Sequence, residues 1–420
     1  MTTVLDAATQ LSQRARAASP ALAKASTKTK NAVLRRIADD LEQDARPAIV
    51  EANAFDLASG KAANLSDPML DRLRLDVPRI RTLAASVRQI AALPDPVGDI
   101  GELVVQPSGI QVGRMRVPLG VILMVYESRP NVTIDAAALC LKAGNAIILR
   151  GGKEALATNR ALADIVERAL QAEGLPADAV VFVDDPDKEL LYALLTRSND
   201  IDLAIPRGGS SLIDAVTAHA RMPVIKHWQG ICHVYVHESA DLDMAERITV
   251  NAKTHRPGVC NAAECLVVDA SIAQRFLPRM VAALQNAAVE VRGDERTCAA
   301  APDVVPASPG DYKTEFLSLI MAVKVVDGFE DALAFIRDNG SRHTESIVTN
   351  DHQMAMRFLR EVDASCVLVN ASTRFNDGGE LGLGAELGIS TSKLHAYGPM
   401  GLAELCARKF VVLGSGEVRT

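Results

Sequence analysis

Aromatic residues are scarce in this chain: they make up 4% of 420 residues, with a single tryptophan. Its core must therefore rest on aliphatic side chains, and hydrophobic residues still reach 48%. No apolar run attains the roughly 18 residues that span a bilayer, so no membrane partner is expected. Basic runs are missing too, and the formal net charge is −7. A nucleic-acid partner would call for the opposite balance. The amino-terminal stretch MTTVLDAATQLSQRARAA lacks the charged-then-apolar order of a signal peptide. Seven cysteines, an odd number thinly spread, argue against a disulfide framework and fit the reducing cytoplasm. Internal repeats and low-complexity segments are absent.

What is present reads as a globular α/β chain of two or three domains. LSQRARAASPALA, KTKNAVLRRIADDLEQ and VPRIRTLAASVRQIAAL, all within residues 1–93, space apolar residues by three and four, as helices do. Residues 95–120 bring turn residues and short β-branched runs, the pattern of a hairpin. From 117 to 236 apolar runs alternate with helical stretches: VPLGVILMVY, NAIILRG, AVVFVDD and IDLAIPRGG each lead to a helix, and MPVIKHW follows. That alternation predicts a parallel sheet covered on both faces. A second α/β stretch runs from about 240 to 400. The last segment, ARKFVVLGSGEVR, reads as a strand that could pair with the 98–117 hairpin, in this chain or a neighbour.

Such sheets hold phosphates at turns where a strand ends and a helix begins. GLGAELG (382–388) has the glycines but follows FNDGGEL rather than an apolar strand, so it reads as a Gly-rich loop. IILRGGKEA (147–155) and PRGGSSLID (206–214) have the right context. Their glycines would let backbone N–H groups approach an anion, and the helix N-terminus favours negative charge. The second turn makes Gly208, Gly209 and Ser210 candidate cofactor contacts, with Arg207 beside them. Arg150 and Lys153 flank the first turn, and that pair points to a nucleotide with an extra phosphate, NADP(H) over NAD(H).

RPGVCNAAECL (256–266) raises a different question. Cys260 could be a small core residue, half of a metal pair with Cys265, or a nucleophile. No second Cys/His pair lies nearby at zinc spacing, so no metal is expected. A Pro-Gly turn would fix the Cys260 thiol at the mouth of an element. Lys253, His255 and Arg256 precede it, and positive charge stabilises a thiolate and welcomes an anion. Cys265 heads an apolar strand and Cys140 lies in an apolar helix, so both read as core. Cys232, in QGICHVYV, is open between the readings.

Taken together, VPLGVI (117–122), AGNAIILR (143–150), RGGSS (207–211), GVC (258–260) and EF (315–316) resemble the aldehyde dehydrogenase superfamily over nearly the whole chain. MVYESRPNVTIDAAALCLKAGNAIILRGG (124–152), AFIRDNGSRHTESIVT (334–349) and TRFNDGGELGLGAELGISTSKLHAYGPMGL (373–402) resemble one branch, the gamma-glutamyl phosphate reductases of proline biosynthesis. Phe335 and Asn339 depart from that branch, where His and His or Tyr are expected. The resemblance implies two Rossmann-type α/β domains plus a small β oligomerisation flap. Residues 1–97 and 118–235 would form the cofactor-binding domain, 236–402 the catalytic domain, and 98–117 with 403–420 the flap.

The resemblance further implies an activity: NADPH-dependent reduction of L-glutamyl 5-phosphate through a thioester on Cys260. The Cys260 backbone N–H and Asn131 would stabilise the oxyanion. Glu315 would hold the nicotinamide ribose, with Arg150 and Lys153 near the adenosine end. Arg129, Arg256 and His343 are candidates for the anionic groups of the substrate. Hydrolytic relatives carry a glutamate where KHWQGICH (226–233) places His227, so the thioester should not pass quickly to water. An acylating dehydrogenase using coenzyme A is the alternative, and a non-catalytic scaffold for the upstream kinase is a third reading. Transient contact with glutamate 5-kinase is expected because the acyl phosphate is labile. The terminal strands suggest a shared sheet and hence a homo-oligomer.

Overall fold

Strands that are apolar on both faces need covering on both faces, and such strands build both halves of this molecule. The computed structural model describes residues 3–43, 46–226 and 229–419. The chain divides into two units, Met1–Lys226 with Leu383–Gly388 and Met400–Thr420, and His227–Gly382 with Ile389–Pro399.

The first unit opens with α1 (Val4–Lys24), α2 (Thr27–Glu42), α3 (Arg46–Ala62), α4 (Asp67–Leu73) and α5 (Val77–Ala92). Thr3 and Asp6 form a capping box at α1, while Ser26 and Asp76 cap α2 and α5. Next come β1 (Val104–Val105), β2 (Gln111–Pro118), β3 (Val121–Tyr126), α6 (Asn131–Lys142), β4 (Ala146–Arg150), α7 (Leu156–Ala172), β5 (Val180–Phe182), α8 (Lys188–Leu195), β6 (Leu203–Arg207) and α9 (Ser210–His219). Strands β3 to β6 form a parallel sheet in the order β5-β4-β3-β6. Val121, Leu123 and Val125 pack with Ala8 and Ala15 of α1 and Leu190 and Leu194 of α8. Of MPVIKHW, the described residues 222–226 add a bridge, Ala204 to Val224. The carboxyl-terminal β16 (Cys406–Leu413) pairs antiparallel with β2 of its own chain, and β1 lies on the other side of β2.

The second unit contains β7 (Cys232–Val236), α10 (Leu242–Thr254), β8 (Ala263–Asp269), α11 (Ala270–Asn286), β9 (Glu290–Gly293), α12 (Glu295–Ala300), β10 (Val305–Pro306), β11 (Ile320–Val326), α13 (Phe329–Asn339), β12 (Thr344–Val348), α14 (His352–Glu361) and β13 (Cys366–Val369). Its parallel sheet runs β10-β9-β11-β8-β7-β12-β13. Val234, Leu266 and Val323 pack with Phe276 and Met280 of α11. On the opposite face Tyr235, Val267 and Ile347 pack with Ile336 of α13 and Phe358 of α14. Two short strands, β14 (Ile389–Ser390) and β15 (Gly398–Pro399), pair with each other.

The division differs from the sequence reading in two places: Leu383–Gly388 and residues 400–402, expected in the catalytic domain, group with the first unit, and the first boundary shifts. The break expected between residues 235 and 236 falls inside β7. This strand is buried along its length and pairs with β8 and β12, so it belongs to the second sheet, and the division lies at 226/227. GLGAELG has no helix after it; Leu387 donates its N–H to the Met400 carbonyl instead. Among the described residues no helix is long and apolar enough to cross a membrane.

Candidate active site

Helix α10 ends at Thr254, and Pro257 and Gly258 turn the chain before β8 begins at Ala263. Ala262 donates its N–H to the Val259 carbonyl at 3.1 Å. That bond makes Cys260 and Asn261 the central pair of a tight turn. Cys260 is half-buried there, whereas Cys140 and Cys265 are buried in α6 and β8. The turn, not a strand or helix face, therefore presents the Cys260 thiol.

Two hydrogen-bonded routes tie this turn to the start of β12. The buried Cys232 thiol donates to the Cys260 carbonyl at 3.1 Å and lies 3.6 Å from His343 Nδ1. Burial pushes the Cys232 thiol well above the ordinary range, so it stays a neutral donor. On the other route Asn261 Nδ2 donates to the Asn376 carbonyl at 2.9 Å, and Asn376 Nδ2 donates to Thr344 Oγ1 at 2.7 Å. His343 Nδ1 sits 2.7 Å from the same Thr344 hydroxyl. A ring through Cys232, His343, Thr344 and Asn376 thus holds the turn in place.

Behind the turn lies Gly230. A β-carbon at that position would stand 2.0 Å from the Cys260 carbonyl oxygen and 2.7 Å from its Cα. Only glycine permits that approach. The Gly230 N–H donates to the Glu315 carboxylate, whose pKa is raised by burial against this bond and the nearby Lys253. Residues 315–317 are held in turn by a buried ion pair. Lys253 Nζ meets Glu264 Oε2 at 2.6 Å, and Glu264 Oε1 accepts from the Leu317 N–H at 3.2 Å. Leu317 has φ of 53°, a left-handed conformation that non-glycine residues rarely adopt. Burial dominates this pair: it raises Glu264 to about 7, against the pull of Lys253, and lowers Lys253.

Three basic side chains gather on the same turn. Arg374 stands in the short 3-10 turn after β13, and its Nε donates to His255 Nδ1 at 3.3 Å. Arg256 and His255 are exposed. Burial lowers the pKa of the half-buried Arg374, and its charge is attracted by Asp377 and Cys260 and repelled by Arg256.

In the first unit, a cleft of about 720 Å³ opens where β3, β4 and β5 end. Phe55, Leu65, Met69 and Leu156 give it apolar walls, and Glu127, Lys153 and Arg160 add charge. Both Gly-Gly turns are tied here by carboxylates of the protein. Gly209 donates its N–H to Glu127 Oε2 at 3.0 Å, and Glu154 Oε1 accepts from the Ser128 N–H and hydroxyl at 2.6 and 2.8 Å. The N–H that the sequence offered to an anion is therefore engaged by Glu127. Gly151 leaves room for Asn159, whose Nδ2 would lie 2.2 Å from an added β-carbon.

The predicted residues divide between these regions. Cys260, Arg256, His343 and Glu315 lie in the second unit. Asn131, Arg129, Arg150, Lys153, Gly208, Gly209 and Ser210 lie in the first. Asn131 is exposed at the start of α6 and donates to Asp135 at 2.9 Å. Burial raises Asp135 to about 6, opposed by that bond and by Arg207. Arg129 is half-buried in the turn before α6. Arg150 donates from Nη2 to the Pro186 carbonyl at 2.6 Å, and burial lowers its pKa. Lys153, Gly208, Gly209 and Ser210 are exposed. His343 has no exposed surface and reaches the Cys260 turn through Cys232. His227 lies outside the described residues. Phe335, one of the two departures, meets the ring of His233 edge-on at 5.9 Å, and Asn339, the other, donates back to the Phe335 carbonyl.

Sequence reasoning did not single out Gly230, Lys253's partner Glu264, Thr344, Arg374 or Asn376. Thr344, Arg374 and Asn376 lie inside the GSRHTES and TRFNDGG stretches, which offered a signal. Gly230 and Glu264 also lie in quoted stretches, KHWQGICH and RPGVCNAAECL, but nothing there marked them, because their roles depend on contacts across the fold.

Comparison with known proteins follows the same lines. The pattern of the aldehyde dehydrogenase family matches residues 5–307. The chain is 55% identical over 407 residues to a gamma-glutamyl phosphate reductase of Meiothermus ruber, covering 97% of each chain. It is 50% identical over 417 residues to one of Geotalea daltonii, covering 99% of this chain and all of that one. A crystal structure of gamma-glutamyl phosphate reductase from Thermotoga maritima superposes with a TM-score of 0.96 at 43% identity, over 98% of this chain and 100% of that one. An acetylating aldehyde dehydrogenase from Geobacillus thermoglucosidasius shares the fold, with a TM-score of 0.70 at 18% identity. This chain belongs to the aldehyde dehydrogenase family and, within it, to the gamma-glutamyl phosphate reductases.

Proposed function

We propose that this chain reduces L-glutamyl 5-phosphate to L-glutamate 5-semialdehyde and phosphate, with NADPH as reductant, in proline biosynthesis. The observation that carries the reading is the Cys260 turn, half-open and held from three sides, in a chain 55% identical to a gamma-glutamyl phosphate reductase over almost its full length.

The Cys260 thiolate attacks the acyl carbon and a C–S bond forms. The C–O bond to phosphate breaks, and its electron pair leaves on the phosphate oxygen. A thioester carbonyl accepts hydride where a carboxylate does not, and cysteine is a better leaving group than serine when the adduct collapses to aldehyde. The Cys260 N–H, with Asn131, stabilises the oxyanion. His343 serves as a positioning residue, since its contacts run to Thr344 and Cys232. Arg129 and Arg256 take anionic groups of the substrate.

As an aldehyde dehydrogenase family member, the chain works with a nicotinamide cofactor, which supplies the hydride when bound. The cleft at the ends of β3, β4 and β5 fits its adenosine half: it has apolar walls, adequate volume and Lys153 at the rim. Lys153 there, with Arg150 at the end of β4, favours the phosphate of NADP(H). Gly208, Gly209 and Ser210 line the neighbouring strand end, and Glu315 holds the nicotinamide ribose.

The test runs in reverse, because the acyl phosphate is labile. Enzyme, NADP+, phosphate and glutamate 5-semialdehyde should give a rise in absorbance at 340 nm that requires phosphate. Cys260→Ser should lower turnover by at least about 10³-fold while NADPH still binds, as fluorescence titration would show. A rise without phosphate would mean hydrolysis, and one that needs coenzyme A instead would mean an acylating dehydrogenase. The exposed Val105, Phe410 and Val412 of the β1-β2-β16 sheet support self-association, which light scattering measures. The cytoplasm is the setting the cysteine pattern supports, and co-purification tests transient contact with glutamate 5-kinase.

A further inference from the structure

Arg374 stands beside the nucleophile's turn with most of its hydrogen-bonding capacity unused. Among the described residues its side chain makes one hydrogen bond, from Nε to His255 Nδ1 at 3.3 Å, and no carboxylate lies within ion-pair distance. Asp377, the nearest acidic neighbour in sequence, accepts from the Gly379 N–H through Oδ1 at 2.9 Å. Two Nη groups of a half-buried guanidinium are thus left for another partner. The 373–377 segment that carries Arg374 is anchored to the Cys260 turn by the bond from Asn261 to the Asn376 carbonyl. The guanidinium is therefore positioned on the nucleophile by two contacts, one on each side of it in sequence.

Its neighbours sharpen the point. Asp377 and the Cys260 sulfur attract Arg374 from beyond bonding distance, and Arg256 repels it. Two like charges facing one turn are unfavourable until an anion arrives between them. A guanidinium with a planar fork of unused N–H groups matches the oxygens of phosphate two at a time.

We propose that Arg374, with Arg256 at the rim, forms the subsite for the phosphoryl group of the acyl phosphate and selects that donor over a thioester. The inference rests on the acyl-phosphate reading given above. In the forward step the thiolate sulfur bonds to the acyl carbon, and the bridging oxygen departs with the C–O electron pair. The phosphate then takes a proton from solvent, and Arg374 offsets the charge that collects on it.

The experiment uses the full chain in the reverse direction and compares wild type, Arg374→Gln and Arg374→Lys. For Arg374→Gln the KM for inorganic phosphate should rise roughly 10- to 100-fold, the worth of a lost charge-assisted bidentate contact. The KM values for semialdehyde and NADP+ should stay within about twofold. Lysine keeps the charge without the fork, so Arg374→Lys should recover part of the loss and also stands in if the glutamine variant does not fold. An unchanged phosphate KM in both variants overturns the assignment. So does an increase that falls on the semialdehyde, which would place Arg374 on the substrate carboxylate. Failure of the underlying reading looks different: the wild-type enzyme itself would then form NADPH without phosphate.

Discussion

The two strand-end clusters of this molecule are built on opposite electrostatic plans. In the first unit, Glu127 and Glu154 hold the ends of β3, β4 and β6 together by accepting backbone N–H groups. In the second unit, the Cys260 turn is surrounded by His255, Arg256 and Arg374, while Glu264 and Glu315 are engaged by Lys253, Leu317 and Gly230 and Asp377 by the Gly379 N–H. On the proposed reading, a cleft for a large, partly apolar cofactor can keep acidic side chains as struts. A turn that must stabilise a thiolate and receive an acyl phosphate cannot leave a carboxylate unengaged beside it. The comparison also separates two uses of glycine, at Gly230 and at Gly208.

The largest effect should come from Gly230→Ala. The new methyl would meet backbone, the Cys260 carbonyl and Cα, so the Cys260 turn must move. A displacement near 1 Å at a reacting group costs about 10²-fold in rate. Steady-state kinetics should show kcat reduced by about that factor or more, with NADPH binding retained. A kcat within threefold of wild type would mean the turn is not held by this contact.

The buried pair beneath the site acts on stability instead of turnover. Removing one partner leaves a buried charge, so Glu264→Ala should cost about 3–5 kcal/mol of stability. Chemical denaturation checks this, and Lys253→Met combined with Glu264→Gln should cost less than the sum of the single changes. The same group sets a pH dependence. Its folded pKa, about 7, lies above the ordinary 4.5. The folded state therefore holds a proton that the unfolded state releases, and stability falls as pH rises from about 4.5 through 7. Lys253, lowered by burial, acts with the opposite sign toward its ordinary 10.5. Melting temperatures measured across pH 4.5–7 should lose one proton's worth of slope in Glu264→Gln. An unaltered slope would assign it to other groups.

How much of this was legible in the sequence follows the same division. The first parallel sheet could be read from uninterrupted apolar runs such as VILMVY, because covered strands have no polar face to show; the second was expected only from the family resemblance, since a strand such as β12, TESIV, carries Thr344, Glu345 and Ser346. The Cys260 turn was legible because Pro257 and Gly258 announce it locally. The boundary at β7 was not, since CHVYV reads as a buried strand and nothing in it names the sheet it joins. The carboxylate struts were also hidden. Glu127 and Gly209 are 82 residues apart, and the sequence showed a glycine turn with its N–H groups available. Pattern reveals what neighbours in the chain do together, whereas partners brought together by the fold leave no local mark.

The smallest effect should come from Gly208→Ala, and it sharpens the contrast with Gly230. The added β-carbon would stand 2.4 Å from Glu127 Oε2 and 2.7 Å from Leu212 Cδ2. Both atoms are ends of flexible side chains that can swing away by rotation about their χ angles. What is lost is the bond from the Gly209 N–H to Glu127, on an exposed turn. A neutral-donor bond to a charged acceptor at such a place is worth about 1 kcal/mol, or roughly fivefold in binding. The KM for NADPH should therefore rise less than tenfold while kcat stays near wild type. If Gly208→Ala instead abolished cofactor binding, the Gly-Gly turn would itself be the phosphate cradle, and Glu127 would be a gate that the cofactor displaces, not a strut.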